Sequence, residues 1–212
     1  MNEYDPSVSF FPSGRSNAFS VRCIKDPDNI YFESDRDGNP EIYAKTLDGT
    51  YLQRLTSNTG IDAAPRQSPN HTKVGFITDR DGIFQVYYMN TDGSDDTLLI
   101  PNYPGMTNLC GFTPLGEKVM YFWDLSGHEE PSGRQLDDHL FLINNDGSAN
   151  KDISINKPDG YNDTFGSILD NNDVIFTSGA NTIPSIPILF LMDITGNQRH
   201  QFEPNGYFPH GH

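Results

Sequence analysis

One segment of the sequence occurs twice, 44 residues apart, and this repetition constrains the fold more than any other feature. The residues from Ile30 to Gly38 correspond to those from Val74 to Gly82, and the Asp-Gly pair at 48–49 corresponds to the pair at 92–93. Weaker copies follow, so that the repeats start at 30, 74, 119 and 174, with a mean period of 48 residues. A period of roughly 20–50 residues indicates a solenoid, a propeller or another repeat array.

Each copy has the pattern of four short β-strands, which we label a to d. The segments are four to seven residues long, rich in β-branched and aromatic residues, and bounded by Gly, Pro, Asn and Asp. No segment has helical periodicity. The Asp-Gly pair between strands c and d predicts a two-residue hairpin turn with both residues at positive φ. We therefore expect an all-β chain.

The first two copies resemble the TolB-type β-propeller repeat, a relative of the WD repeat. The residues that carry the resemblance are Ser34–Tyr43, Leu55-Thr56, Asp62 and Ser68-Pro69. The resemblance implies that each repeat is one blade of a β-propeller. It divides a single domain, residues 1–212, into four four-stranded blades at about 5–56, 62–100, 107–155 and 163–202, with a tail at 203–212. Four blades are within the range that propellers use.

Two arrangements of four blades are open. In the first, blade one packs on blade four and closes the ring. In the second, two chains form a homodimer with eight blades. Both arrangements bury the two end blades, so the oligomeric state distinguishes them.

The charge of the chain limits its partners. The sequence has 29 acidic and 14 basic residues, a formal net charge of −15. Binding to nucleic acids or anionic membranes depends on Lys and Arg, so neither is an expected partner. No apolar stretch approaches the ~20 residues of a membrane span, so membrane insertion is not expected. The N-terminus lacks the features of a secretory signal, which predicts a cytoplasmic protein, or a periplasmic or secreted one if a signal was trimmed.

The sequence favours a non-enzymatic module that binds a protein or peptide. It has no nucleophile elbow, phosphate loop or dinucleotide fingerprint, and neither its two cysteines nor its six histidines have metal-site spacing. Some propellers of the same superfamily are lyases. The alternative function is therefore a carbohydrate-active or lyase-type enzyme that uses a cation in an acidic channel.

Two sets of acidic residues are candidates for a cation such as Ca²⁺, although no cofactor is the favoured expectation. The loops at 35–41 and 79–82 carry alternating Asp residues, which turn formation explains better than metal binding. The starts of the four a strands carry Asp5, Asp62, Thr107 and Asp163. In a propeller these would surround one mouth of the channel, where like charges need a cation, an Arg or water between them. Alternatively, each Asp caps its own blade.

Aromatic residues surround the same predicted mouth. The b–c and d–a loops lie on one face of a propeller, and repeat proteins place insertions on the binding face. The residues predicted to contact a partner there, besides the strand starts, are Tyr103, Trp123, His128, Tyr161 and Tyr207. Exposed Trp and Tyr are favoured in interfaces. The resemblance implies the same place, because that family binds its partner around the channel opening.

Overall fold

The computed structural model describes residues 29–100, 107–125, 137–180 and 188–202, in which every regular element is a β-strand. Blade one contains β1 (Asn29–Ser34), β2 (Glu41–Thr46) and β3 (Leu52–Arg54). Blade two contains β4 (Asp62–Gln67), β5 (Lys73–Thr78), β6 (Gln85–Asn90) and β7 (Thr97–Leu98). Blade three contains β8 (Thr107–Phe112), β9 (Lys118–Asp124), β10 (Asp138–Asn144) and β11 (Lys151–Asp152). Blade four contains β12 (Tyr161–Ile168), β13 (Asp173–Ala180), β14 (Ile188–Asp193) and β15 (His200–Gln201).

Each blade is an antiparallel sheet whose strands pair in chain order. The sheets of blades two, three and four have four strands, and the sheet of blade one has the three strands β1, β2 and β3. The strand a predicted for blade one at residues 7–11 lies outside the described residues. The structure thus confirms the predicted all-β fold of propeller blades. None of the described segments forms a helix of the length and hydropathy needed to cross a membrane.

The turns between strands c and d differ from the prediction. In blade one the Gly49 amide donates to the Thr46 carbonyl at 2.9 Å, and Thr46 pairs with Tyr51, so the loop has four residues. Gly49 has a φ of 75°, but Asp48 is not among the residues with positive φ. The Asp48 carboxylate instead accepts the Thr50 amide at 3.0 Å and fixes the turn. Two residues at positive φ are therefore not required, because the Asp side chain replaces that geometry.

The hydrophobic core lies between successive blades rather than at one centre. Each blade has a front face and a back face. The front faces of blades two, three and four are turned to the preceding blade, and the back faces of blades one, two and three are turned to the next blade. The same names are used for the corresponding faces of blades one and four. The front face of blade two, with Val74 and Phe76, packs on Ile42 from the back face of blade one. Val86 packs in the same way with Val119 and Tyr121 of blade three. Leu140 and Met120 of blade three pack with Val174 and Phe176 of blade four.

Aromatic side chains contribute to all three of these clusters. They include Tyr31, Phe76, Tyr87, Phe122, Phe141, Phe176 and Phe190. Tyr43 is buried but lies on the opposite face of blade one.

Within the described ranges, blade four does not pack on blade one, so the first of the two arrangements that the sequence left open is not formed by this part of the chain. The back face of blade four retains Leu189 at 44% exposure, and the corresponding front face of blade one retains Ile30 at 46%. Two faces in contact would bury both side chains.

Candidate functional site at the loop face

The predicted site lies at the end of the blades that carries the b–c and d–a connections, which we call the loop face. Its described parts are residues 35–40, 55–61, 79–84 and 153–160. Asp62 and Thr107 begin β4 and β8, and Asp163 is the third residue of β12. Trp123 and Tyr161 lie at the same end, in β9 and β12. The other predicted site residues lie outside the described residues: Asp5, Tyr103, His128 and Tyr207.

The backbone explains why the starts of successive a strands lie at one face. The Asp62 amide donates to the Pro40 carbonyl at 2.9 Å, and the Thr107 amide donates to the Phe84 carbonyl at 2.9 Å. Pro40 and Phe84 precede the c strands β2 and β6 of the previous blades. The start of each of these a strands is therefore fixed to the preceding blade by a main-chain hydrogen bond.

The Asp62 carboxylate is fully buried and paired with an arginine of its own blade. Arg80 donates from Nη2 to both carboxylate oxygens, at 3.0 and 3.1 Å. Asn58 adds a hydrogen bond from Nδ2 at 2.7 Å. The guanidinium also reaches Asp96 at 2.5 Å. The charge of Asp62 is therefore neutralised within blade two.

Asp163 has the same environment, but its arginine comes from a different position in the repeat. Its buried carboxylate accepts from Arg199 Nη1 at 2.5 Å and Nη2 at 2.8 Å. Ser154 Oγ donates to it at 2.8 Å. Arg199 immediately precedes β15, whereas Arg80 follows β5. Blades two and four thus have equivalent ion pairs, but the arginine is supplied from a different position in each blade.

Each of these arginines also lies over a pair of aromatic rings. The Arg80 guanidinium is 4.7 Å from the Tyr87 ring centroid, and Arg199 is 4.8 Å from that of Phe190. Arg36 occupies the same place in blade one, 4.7 Å from the Tyr43 ring. A guanidinium over a ring face is attracted by the ring quadrupole. Sequence reasoning missed these arginines, although Arg36 and Arg80 are 44 residues apart in the repeat.

Thr107 replaces the aspartate in blade three for a local reason. In blades one and three a hydroxyl at the end of strand d accepts the amide of strand c: Thr56 accepts Ile42 at 2.9 Å, and Ser154 accepts Leu140 at 2.9 Å. The equivalent residue of blade two is Ile100, which has no hydroxyl. Thr107 Oγ1 accepts the Val86 amide instead, at 3.0 Å.

The Asp-rich b–c loops are turns stabilised by their own side chains. The Gly38 amide donates to the Asp35 carbonyl at 2.9 Å. The Tyr43 hydroxyl donates to the Asp37 carboxylate at 2.5 Å, and the Tyr87 hydroxyl donates to Asp81 in the same way. Burial and this hydrogen bond raise the pKa of Tyr43 to about 12. Asp37 and Asp81 therefore have a structural role.

Glu41, the last residue of the 35–41 loop that was considered for a cation, is a buried acid of the loop face. It accepts from Thr56 Oγ1 at 2.6 Å, from Arg54 Nη2 at 2.7 Å and from the Asn58 amide at 3.0 Å. Burial opposes its ionisation, but the three hydrogen bonds outweigh burial and hold the pKa of Glu41 below its usual range. Glu41 thus stays ionised and links strands c and d of blade one.

Blade three carries a pair of buried acids, Asp124 and Asp138, which face each other across β9 and β10. Burial, together with the charge of Asp124, raises the pKa of Asp138 to about 7. The positive charge of Lys157 opposes this rise in the pKa, but its Nζ is paired with Asp137 at 2.7 Å. Asp138 is therefore protonated in a large fraction of molecules at neutral pH.

The two described aromatic candidates differ in environment. Trp123 packs against the core cluster between blades two and three, with its ring centroid 5.6 Å from that of Phe141. Tyr161 is half-buried at the start of β12, and its carbonyl accepts Lys157 Nζ at 2.5 Å. Trp123 thus supports the blade interface, and Tyr161 retains exposed surface on the loop face.

No three or more His, Cys, Asp or Glu side chains within the four described ranges form a group that could hold a metal ion. The starts of β4, β8 and β12 present two neutralised carboxylates and one hydroxyl. The ion pairs and hydrogen bonds of these side chains therefore connect strands at the loop face.

The four-stranded sheets stacked face to face, with their a strands fixed at one end, define the class of a β-propeller. The chain belongs to the TolB beta propeller domain family, which it matches over residues 15–207. A segment of 83 residues is 36% identical to a TolB homolog of Chlorobium luteolum, covering 39% of this chain and 17% of that protein. The chain thus spans only a small part of that relative.

Solved structures have the same fold. A structure titled as a putative TolB from Agrobacterium tumefaciens is 19% identical, with a TM-score of 0.63, covering 81% of this chain and 59% of that one. TolB from Acinetobacter baumannii is 20% identical, with a TM-score of 0.60, covering 81% of this chain and 39% of that one. These likenesses concern the fold alone.

Proposed function

We propose that this chain is a non-enzymatic TolB-like propeller module that binds a basic protein or peptide segment at the loop face. The observation that carries the proposal is that most arginines of this face are paired with buried carboxylates, whereas several acidic side chains are exposed to solvent. Three arginines there are held in ion pairs with buried carboxylates: Arg54 with Glu41, Arg80 with Asp62 and Arg199 with Asp163. Their positive charge is directed inward.

The acidic side chains that remain at the loop face are turned to solvent. Asp35, Asp37 and Asp81 are exposed in the b–c loops, and Asp159 is exposed in the d–a connection before β12. Asp137 is half-exposed but is paired with Lys157 Nζ at 2.7 Å, so it adds little to this set. Arg36 is exposed in the same loop as Asp35 and Asp37, but the exposed carboxylates outnumber it. The excess of negative charge produces a field that steers a basic partner toward the face.

The proposed partner is a Lys- or Arg-rich segment. Tyr161 supplies contact area beside the acidic residues, since Tyr is favoured at interfaces. Asp5, Tyr103, His128 and Tyr207 stay predictions for this site, because they lie outside the described residues. Neither calcium nor another cofactor is required for this recognition.

Fluorescence anisotropy with a labelled oligolysine peptide tests the proposal. The double variant Asp35→Lys/Asp159→Lys should weaken binding roughly tenfold or more, which corresponds to about 1.4 kcal/mol. Binding should also weaken as NaCl rises from 50 to 300 mM, because exposed charges are screened beyond ~8 Å at physiological ionic strength. A chelator should leave the affinity unchanged.

Glu117→Lys is the matched control. Glu117 is exposed in the turn between β8 and β9, at the opposite end of the blades. A charge reversal there changes the net charge without changing the loop face. If Glu117→Lys weakens binding as much as either single loop-face reversal, attraction is non-specific and the proposed face is wrong.

A further inference from the structure

The two ends of the blade stack expose repeat positions that are buried everywhere else in the described chain. On the back faces, one position is occupied by Ile42, Val86 and Leu140, each at most 1% exposed. The equivalent residue of blade four, Leu189, is 44% exposed. The equivalence follows from the strand pairing, in which Leu189 lies opposite Thr177 as Leu140 lies opposite Phe122.

The front faces show the complementary pattern. Val74, Val119 and Val174 occupy one position in blades two, three and four, each at most 1% exposed. The equivalent residue of blade one is Ile30, at 46%. Its cross-strand partner is Lys45, where the later blades have Met89, Ile143 and Met192.

These two positions meet in every interface between described blades. Ile42 and Val74 share one core cluster, Val86 and Val119 share the second, and Leu140 and Val174 share the third. Leu189 on the back face of blade four and Ile30 on the front face of blade one are in none of the three clusters of the described residues. Both side chains are apolar. Each is the chemical complement of the other.

The hairpin turns between strands c and d repeat the same relationship. A Cβ placed on Gly93 would lie 3.0 Å from the Leu55 carbonyl oxygen of the preceding blade, and one on Gly147 would lie 3.1 Å from that of Leu99. Gly196 approaches the Ile153 carbonyl in the same manner. Each of these glycines therefore docks its turn against strand d of the blade before it.

At the two ends of the described blade stack, neither half of this docking contact has its counterpart among the described residues. Among the described residues, the side chain of Lys45 is the one group within 4 Å of the Cβ position of Gly49, the equivalent turn glycine of blade one. The equivalent carbonyl residue of blade four is Phe202, whose amide donates to Leu189 as that of Leu55 donates to Ile42. Phe202 does not reach Gly49 within the chain.

We propose that a second copy of this chain docks head to tail, with the back face of blade four of one copy packed on the front face of blade one of the other. Leu189 and Ile30 of the two copies form the same cluster that joins successive blades within one chain. The Gly49 turn of one copy lies against Phe202 of the other. A two-fold pair uses this contact twice.

Light scattering after size-exclusion chromatography, over a concentration series, measures the assembly. The expected mass is twice the 23.7 kDa of one chain. Ile30→Glu and Leu189→Lys should each weaken association roughly tenfold or more, since each places a charge in an apolar contact. Both positions are exposed in one chain, so circular dichroism should show folded variants.

Mixing the two variants gives the sharpest test. A pair made of one Ile30→Glu chain and one Leu189→Lys chain retains one unchanged contact between Ile30 and Leu189. The mixture should therefore associate more tightly than either variant alone. Loss of association in only one variant would indicate a symmetric contact between identical faces and would overturn the head-to-tail arrangement, as would a monomer at every concentration.

Leu115→Glu is the matched control, because Leu115 is 70% exposed in the turn between β8 and β9 and lies outside both faces. It should leave the mass unchanged. Added NaCl should strengthen association, since each copy carries a net charge of −15. Salt has the opposite effect on binding of the basic peptide, so the two proposals fail independently.

Discussion

Arg80 donates to both carboxylate oxygens of Asp62, at 3.0 and 3.1 Å, while its guanidinium lies over the rings of Phe76 and Tyr87. Asp62 has no exposed surface. The variant Arg80→Met should lower the free energy of unfolding by about 3–5 kcal/mol, because it leaves a buried charge without its partner. Urea denaturation measures the difference.

Arg36→Met is the control for the ring contact alone. Arg36 lies over Phe32 and Tyr43 in blade one but is exposed and has no ion pair among the described residues. Its loss should cost less than about 1 kcal/mol. The double variant Asp62→Asn/Arg80→Met should be more stable than Arg80→Met; equal stability would contradict the role given to the buried charge.

Asp138 should make stability fall as pH rises toward neutrality. Burial and the charge of Asp124 place its pKa at about 7, whereas an unfolded chain has an ordinary aspartate pKa of about 4. Between these values the folded protein holds a proton that the unfolded chain does not. The resulting stabilisation is complete below pH ~4 and lost as pH rises through 7, by roughly 2–4 kcal/mol.

Thermal melts of wild type and Asp138→Asn between pH 5 and 8 test this expectation. The gain in melting temperature from the substitution should grow with pH, because the amide stays neutral. Asp48→Asn is the control, since hydrogen bonds from Thr46 and Thr50 lower the pKa of Asp48 to about 2. Its effect should be constant over the same range. A constant effect of Asp138→Asn would contradict the raised pKa.

Much of the fold could be predicted from the sequence, because strands and turns depend on local pattern. The repeat, the short segments rich in β-branched and aromatic residues, and the Asp-Gly pairs together predicted the strands of each blade. The four-residue form of the turn at Gly49 could not be read from the residue pair, since it depends on which amide the Asp48 side chain accepts. Whether blade four meets blade one depends on the angle between successive blades, which the local sequence pattern does not specify.

The candidate site was only partly predictable. The Asp and Thr residues at the a-strand starts were recognisable by their spacing, and Asp62 and Asp163 do share an environment. Their arginines were missed because Arg80 and Arg199 occupy different repeat positions and meet an equivalent carboxylate only in three dimensions. The exchange to Thr107 had a visible signal, namely that Ile100 lacks the hydroxyl of the equivalent Thr56 and Ser154.

Thr107→Val should remove the acceptor of the buried Val86 amide and lower stability by about 1–3 kcal/mol. Valine keeps the shape of threonine but cannot accept this hydrogen bond. Thr97→Val, on the exposed surface of blade two, should change stability by no more than ~0.5 kcal/mol. Equal effects of the two substitutions, measured by denaturation, would show that the amide is satisfied otherwise.

Gly60 should tolerate no side chain without movement of the backbone. A Cβ at Gly60 would lie 2.7 Å from Cα of Arg80, whereas one at Gly166 would lie 2.8 Å from the flexible end of Met120. Gly60→Ala should therefore destabilise by about 1–3 kcal/mol, and Gly166→Ala by less. The melting temperatures of the two variants should differ in this order, and the reverse order would contradict the contact with Arg80.

The location of the core between blades has a consequence for how the chain opens. Blades two and three are covered on both faces, whereas blades one and four each share one apolar cluster with a neighbour. Detaching an end blade thus disrupts one interface, and detaching an inner blade disrupts two. In arrays of this kind stability is approximately a sum of nearest-neighbour terms. In the unassociated chain, backbone amides of β9 and β10 should consequently exchange with deuterium more slowly than those of β1 and β14.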